Sequence, residues 1–290
     1  MRPRTLPLAV ASSIMGGFLA AADDVFSGSV TLLCVITAVF LQILSNLAND
    51  YGDSVHGADH VARAGPKRAV QTGLISAGAM KRAMGLFAIL SAISGLTLVI
   101  VALGVAALPL VALFVLLGGA AIWAAISYTA SSKPYGYVGL GDLFVFLFFG
   151  LVGTMGTYFL QAQAWNWLVF WPGTAVGLLS VAVLNVNNIR DIDSDRQAGK
   201  LSVPVRIGPR RARQYHWALL GGAVIAALLY VALTYQSPWQ FLFGLSLPLL
   251  WRNGTAVART HDPLLLNPML KQLSLSTLVF VFTFGIGQIL

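Results

Sequence analysis

Phe40-Leu41-Gln42-Ile43-Leu44-Ser45-Asn46-Leu47-Ala48-Asn49-Asp50-Tyr51-Gly52-Asp53 closes an apolar run that begins near residue 29. A second run ends in the same way about 140 residues later, in Asn187-Asn188-Ile189-Arg190-Asp191-Ile192-Asp193-Ser194-Asp195. The chain has only ten acidic residues, all Asp, and half of them fall in these two places. Carboxylates packed this tightly beside membrane-like segments point to a divalent metal held between two helix ends.

Around these stretches the composition leaves one fold class. With 57% hydrophobic and 10% charged residues, 290 residues cannot hide their apolar surface inside a soluble globule. A spanning helix needs roughly 20 mostly apolar residues. Nine segments qualify, at about 5–22, 29–50, 82–104, 107–129, 140–162, 167–189, 214–234, 238–257 and 272–290. The expectation is an all-α membrane protein of nine transmembrane helices. Residues 1–290 read as a single polytopic membrane domain, with cap loops at about 51–81 and 190–213. The first segment is not a cleaved signal peptide, since it runs on into repeated apolar segments.

Lys and Arg set the expected orientation. All 18 lie at the N-terminus or at or near the even-numbered connections, while the odd-numbered ones carry none. The N-terminus is therefore expected in the cytoplasm and the C-terminus outside, in the cell inner membrane. An error of one span would scatter the cations over both sides, so the count of nine and the charge pattern support each other. Trp165, Trp167, Trp171 and Trp239 fall at predicted outer boundaries, where indole rings favour the headgroup layer. The net charge of +8 is confined to one face. Anionic lipid headgroups or a phosphorylated substrate suit it better than nucleic acid. A lone cysteine, Cys34, excludes an intrachain disulfide.

On a helix, residues four apart are separated by about 40° and residues three apart by about 60°. Asn46, Asp50 and Asp53 thus share one face, and so do Asn187, Asp191 and Asp195. Both sets occupy helix C-termini, where the macrodipole disfavours negative charge, so a cation must offset them. Mg2+ with a bridging phosphate is the economical choice, because it takes one or two carboxylates plus water and substrate oxygens. Pairing with Arg190, Arg196 or loop cations as ordinary interfacial charges is the plainer alternative, and two matching clusters on equivalent spans weaken it. Arg63, Lys67, Arg68, Lys133 and Lys200 share that side and suit departing phosphate oxygens; each alone also serves as a topology signal. His56 and His60 lack the His or Cys neighbours of a zinc site. Gly139-Leu140-Gly141 lacks the strand and helix of a nucleotide loop.

These motifs resemble the UbiA superfamily of intramembrane aromatic prenyltransferases. Asn49-Asp50-Tyr51-Gly52-Asp53 is similar to the start of its N-D-x-x-D-x-x-x-D signature. Asp191 and Asp195 match its D-x-x-x-D signature, with Gly199 following. Position 57 is Gly where the first signature has its third Asp, and Asp59 stands two residues later. Arg2-Pro3-Arg4-Thr5-Leu6, Gly65-Pro66-Lys67-Arg68, Lys133-Pro134-Tyr135-Gly136-Tyr137, Gly139-Leu140-Gly141-Asp142 and Val205-Arg206-Ile207-Gly208-Pro209 resemble the menaquinone-pathway branch. Leu201-Ser202 departs from the Asn-Thr often found there.

The resemblance implies a nine-helix bundle around a central cavity, with Mg2+ at its cytoplasmic mouth on Asn49, Asp50, Asp53, Asp191 and Asp195. It implies a polyprenyl diphosphate donor and 1,4-dihydroxy-2-naphthoate as acceptor, with loss of diphosphate and carbon dioxide to give demethylmenaquinone. Substrate contacts would come from Asn46, Arg63, Arg68, Lys133, Tyr135 and Lys200. Tyr128 and Tyr135 would face the allylic cation or the ring, or else serve as interfacial aromatics. Competing readings are another acceptor such as 4-hydroxybenzoate, an ion-coupled transporter, and a CDP-alcohol phosphotransferase, whose characteristic Asp-Gly run is absent.

Overall fold

The computed structural model describes residues 6–55, 70 and 73–290, and among these there is no strand. The helices are α1 (Leu6–Ala22), α2 (Gly28–Val55), α3 (Ala77–Leu103), α4 (Leu108–Ser127) and α5 (Gly141–Ala162). They continue with α6 (Trp167–Arg190), a short α7 (Ile192–Gln197), α8 (Val203–Thr234), α9 (Leu247–Arg259) and α10 (Pro263–Ile289). Seven of the described helices are long and apolar enough to cross a membrane. Of the other two expected spans, α1 has 17 residues. The second is broken: Pro238–Ser246 winds as a 3-10 helix before α9 begins. Pro248 opens α9, where its missing N–H costs no intrahelical bond.

Several boundaries lie outside the expected ones, for local reasons. α2 runs to Val55, so Asp50 and Asp53 lie within its last turns. α3 starts at Ala77 because the Ser76 side chain accepts the Ala79 N–H at 3.2 Å and caps it. α8 begins at Val203 and bends at Gly208, whose φ of 81° only glycine adopts freely. Pro209 next to it offers no N–H to bridge the bend. Much of the expected loop at 190–213 is therefore helical.

Apolar faces all round the spans make burial, not amphipathic patterning, the guide to position. α6 is the most buried span and α4 the least. The main core joins α6 to α1, α8 and α10 through Met15, Leu19, Leu179, Val186, Ala223 and Phe280. α2 packs on α3 and α4 around Leu44, Ala48 and Met80. Gly173 and Gly177 on α6 face Gly150 on α5, where an added Cβ on Gly150 would stand 2.6 Å from Gly177 Cα. Small residues at this spacing let membrane helices approach closely. The π-helical stretch Phe146–Val152 of α5 sits at this contact.

Candidate functional site

The close approach that positions the first acidic cluster is at Gly52. A Cβ there would meet the Thr129 carbonyl oxygen at 2.3 Å, so α2 lies directly on the backbone that follows α4. The Thr129 hydroxyl lies 3.1 Å from Ala48 O and 2.9 Å from Asn49 Oδ1. Gln42 donates to Asn46 Oδ1 at 3.2 Å one turn earlier. These contacts turn Asn46, Asn49, Asp50 and Asp53 together toward one cavity. Tyr137 donates its hydroxyl to Asp53 Oδ1 at 3.1 Å.

The second cluster is held by its own cations. Arg190 grips Asp191 through Nε at 2.8 Å and Nη2 at 2.7 Å, with both side chains buried. The same guanidinium donates to Asn187 Oδ1 at 2.8 Å and to Asn267 Oδ1 of α10 at 3.0 Å. Lys200 lies 3.3 Å from Asp195. The turn that returns Lys200 over Asp195 is closed by the Lys200 N–H donating to Asp195 O at 2.8 Å, with Gly199 at φ 71°. Leu201 N–H then donates to Tyr137 O at 2.8 Å, and Arg206 to Val138 O at 2.8 Å. These bonds fasten the 198–206 turn to the segment that carries Tyr137. Lys200 Nζ stands 5.9 Å from the Tyr137 ring centre. Asp53, Tyr137, Lys200 and Asp195 thus form one continuous line between the clusters.

Burial raises the Asp195 carboxyl to about 6; Lys200 pulls it down, while Asp191 and Asp53 push it up. Asp195 Oδ2 and Asn188 Oδ1 are buried oxygens with no hydrogen-bond partner among the described residues. A buried acceptor without a donor is costly unless a cation satisfies it. Among the described residues, no three His, Cys or Asp side chains form a ready-made metal cage. Two half-sites completed by water and phosphate oxygens suit Mg2+, a poor guest for all-protein cages.

Behind the acidic end lies a cavity of about 1220 Å³. Its polar head is formed by Asn49, Asp50, Asp53, Asn187, Arg190 and Lys200. Its body is apolar, passing Leu41, Ile122, Phe148 and Phe149 to Cys34, Leu98 and Leu160. Cys34 and Asp53 both line it on α2, a span of about 28 Å at 1.5 Å per residue. Tyr128 and Tyr135 stand near the head with ring centres 5.4 Å apart. Burial raises the Tyr128 phenol to about 12, so it stays neutral. The Tyr135 hydroxyl donates to Ala124 O at 2.8 Å, and its ring stacks on Phe144 with centroids 4.1 Å apart.

The fold therefore brings Asn46, Asn49, Asp50, Asp53, Asp191, Asp195, Tyr128, Tyr135 and Lys200 to one end of the bundle. Lys133 is exposed and does not line the cavity. Arg63 and Arg68, with His56, Asp59, His60 and Lys67, lie outside the described residues. Sequence reasoning passed over Tyr137 and treated Arg190 as no more than a possible salt-bridge partner. The signals were present: Arg190 directly precedes Asp191, and Tyr137 lies inside a stretch that was already singled out.

The chain is similar to known proteins in sequence and in fold. The family profile described as "UbiA prenyltransferase family" matches residues 9–264. A protein of Escherichia coli K12 named 1,4-dihydroxy-2-naphthoate octaprenyltransferase is 46% identical, over 99% of this chain and 94% of that one. Its Haemophilus influenzae namesake is 43% identical over 100% and 94%, and that of Mycobacterium tuberculosis 36% over 96% and 91%. Among solved structures, the apo UbiA homolog from Aeropyrum pernix K1 superposes with a TM-score of 0.70 at 17% identity, covering 99% of this chain and 98% of that one. The UbiA homolog from Archaeoglobus fulgidus bound to GPP and Mg2+ gives 0.61 at 16% identity, covering 99% and 98%.

Proposed function

This chain belongs to the UbiA prenyltransferase family, and from that premise we propose that it transfers a polyprenyl chain from a polyprenyl diphosphate to 1,4-dihydroxy-2-naphthoate. The observation that carries the reading is the first acidic cluster at the head of a long apolar cavity, with Asp191 and Asp195 of the second held just behind it by Arg190 and Lys200, which line that head. The acceptor follows from the names of relatives 36–46% identical over nearly the whole chain.

Asp50, Asp53, Asp191 and Asp195, with Asn49, are the residues that would hold Mg2+, supported by the unpartnered Asp195 Oδ2. When bound, the ion supplies charge neutralisation for the leaving diphosphate. The chain's own residues do the rest. Lys200 and Arg190 place positive charge at the cavity head, where the C–O bond to the diphosphate breaks and its electron pair leaves with the phosphate. The neutral Tyr128 ring, with Tyr135 packed edge-on against it, stabilises the allylic cation left behind, as aromatic faces stabilise cations. The electron-rich naphthoate ring forms the new C–C bond at the allylic carbon, and carbon dioxide leaves, its bonding electron pair returning to the ring. Apolar walls exclude the water that would quench the cation.

The basic connections support a cytoplasmic N-terminus and an external C-terminus in the inner membrane, and the whole chain acts as one membrane domain. The deciding experiment incubates purified protein with Mg2+, octaprenyl diphosphate and, separately, 1,4-dihydroxy-2-naphthoate or 4-hydroxybenzoate, and identifies products by mass. The expected product is the decarboxylated prenyl naphthoquinol. Prenylation of 4-hydroxybenzoate alone would overturn the acceptor. Full turnover by Asp53→Asn and Asp191→Asn, each expected to lose roughly 10²–10³-fold, would overturn the site.

A further inference from the structure

α8 and α9 leave between them a groove of about 450 Å³ that shares no lining residue with the cavity. Its walls come from one face of each helix: Arg210, Arg213, Gln214 and Trp217 on α8, then Ala258 and, just beyond α9, His261. Arg213 is fixed in place. It donates to Val257 O at 3.2 Å, Pro209 O at 3.0 Å and Thr260 O at 2.9 Å. These bonds use three of the five guanidinium donors and tie the end of α9 to the start of α8. Arg210 and His261 are exposed beside it. No carboxylate lines the groove among the described residues. Asp262, the neighbour of His261, turns its side chain to the Leu264 N–H at 2.9 Å.

Two turns deeper the surface changes character. The Trp217 ring lies against Gly254, where an added Cβ would stand 2.7 Å from it. Trp251 meets that ring edge-on, with centroids 5.0 Å apart, and is 69% exposed. Further along the same side of α8, Gly221, Ile225 and Leu228 are exposed. α8 starts just after α6 and α7 end in the acidic cluster, so Arg210 lies near that end of the bundle and Leu228 well inside the apolar span. Cations, then indoles, then bare apolar surface follow each other along one line. A phospholipid presents the matching order of phosphate, glycerol and acyl chain, and basic pockets between membrane helices suit anionic headgroups.

We propose that this groove binds one anionic phospholipid, its phosphate between Arg210, Arg213 and His261, its glycerol region at Trp217 and Trp251, and its chains along Gly221, Ile225 and Leu228. The site is separate from the cavity and holds a lipid that is not a substrate.

The test is native mass spectrometry of the purified full chain titrated with phosphatidylglycerol or phosphatidylcholine of identical acyl chains, with and without excess inorganic phosphate. Two variants accompany it: Arg210→Ala with His261→Ala, which removes exposed cations only, and Gly254→Ala, which displaces Trp217 and leaves the charges. The wild type is expected to hold phosphatidylglycerol about tenfold more tightly than phosphatidylcholine, as expected when several cations near a membrane surface contribute together. The double variant is expected to retain no more than about a twofold preference at an unchanged melting temperature in detergent. Gly254→Ala is expected to weaken both lipids, and inorganic phosphate to leave the lipid bound. Equal retention of the two lipids by the wild type, an undiminished preference in the double variant, or complete displacement by inorganic phosphate would overturn the proposal.

Discussion

Lys200 and Asp195 are both buried, and their 3.3 Å contact lies at the centre of the acidic end. Removing one partner of a buried ion pair leaves an uncompensated charge, at a cost of roughly 3–5 kcal/mol. Lys200→Met is therefore expected to lower the melting temperature clearly, and Lys200→Met with Asp195→Asn to recover part of the loss. A double variant no better than the single one would show that Lys200 stabilises the fold in some other way. Tyr137 contributes a hydrogen bond to the Asp53 carboxylate. Tyr137→Phe keeps the ring beside Lys200 and is expected to lower kcat/KM about tenfold, within the range of a lost hydrogen bond to a charged group. Steady-state kinetics at several Mg2+ concentrations measure this, and unchanged kinetics would remove Tyr137 from the site. The acidic residues were legible from the sequence because an acid-poor chain makes each carboxylate conspicuous. Tyr137 was not, because a tyrosine near a membrane boundary is common and its partner is 84 residues away.

At the scale of elements, the first half-site depends on α2 meeting the chain after α4 without a side chain between them. Gly52→Ala sets a Cβ against the Thr129 backbone. Backbone cannot rotate aside as a side chain does, so α2 must shift. The expected cost is about 1–3 kcal/mol, typical of overpacking, together with displacement of Asp50 and Asp53. A lowered melting temperature combined with weakened Mg2+-dependent turnover is the signature to look for; a wild-type response in both would contradict the close packing. Element existence was readable throughout, since apolar runs of about 20 residues have few other fates. Element ends were harder. α8 begins well before the apolar run because helical backbone continues through polar sequence once Pro204 opens it, and the bend at Gly208 is set by backbone freedom that hydropathy does not register.

For the whole molecule, the proposed function makes the length of the apolar cavity the feature that selects among donors. Ala38 lines it on α2, three turns from Asp50, about 18 Å at 1.5 Å per residue. Ala38→Trp is expected to block the cavity beyond that level. Turnover of geranyl diphosphate should stay within about threefold of wild type, while turnover of octaprenyl diphosphate falls by tenfold or more, as a lost apolar pocket of this size predicts. Parallel kcat/KM measurements decide it, and an equal loss for both donors would mean that the chain does not thread this route.

The sequence by itself determined that this is an all-helical, multi-span membrane protein, with two acidic helix ends brought to a common side and a recognisable family signature. Those properties follow from composition, periodicity and short-range spacing, which any local stretch of chain carries. Tertiary structure alone decided that Tyr137 joins Asp53 to the Lys200–Asp195 pair. It also decided that Lys133 stands outside the cavity while Arg190 lines it. The physical reason is range. A carboxylate chooses its partner among groups that helix packing brings within a few ångströms, and the glycine contacts at residues 52, 150 and 177 that set this packing carry no charge or hydropathy signal of their own.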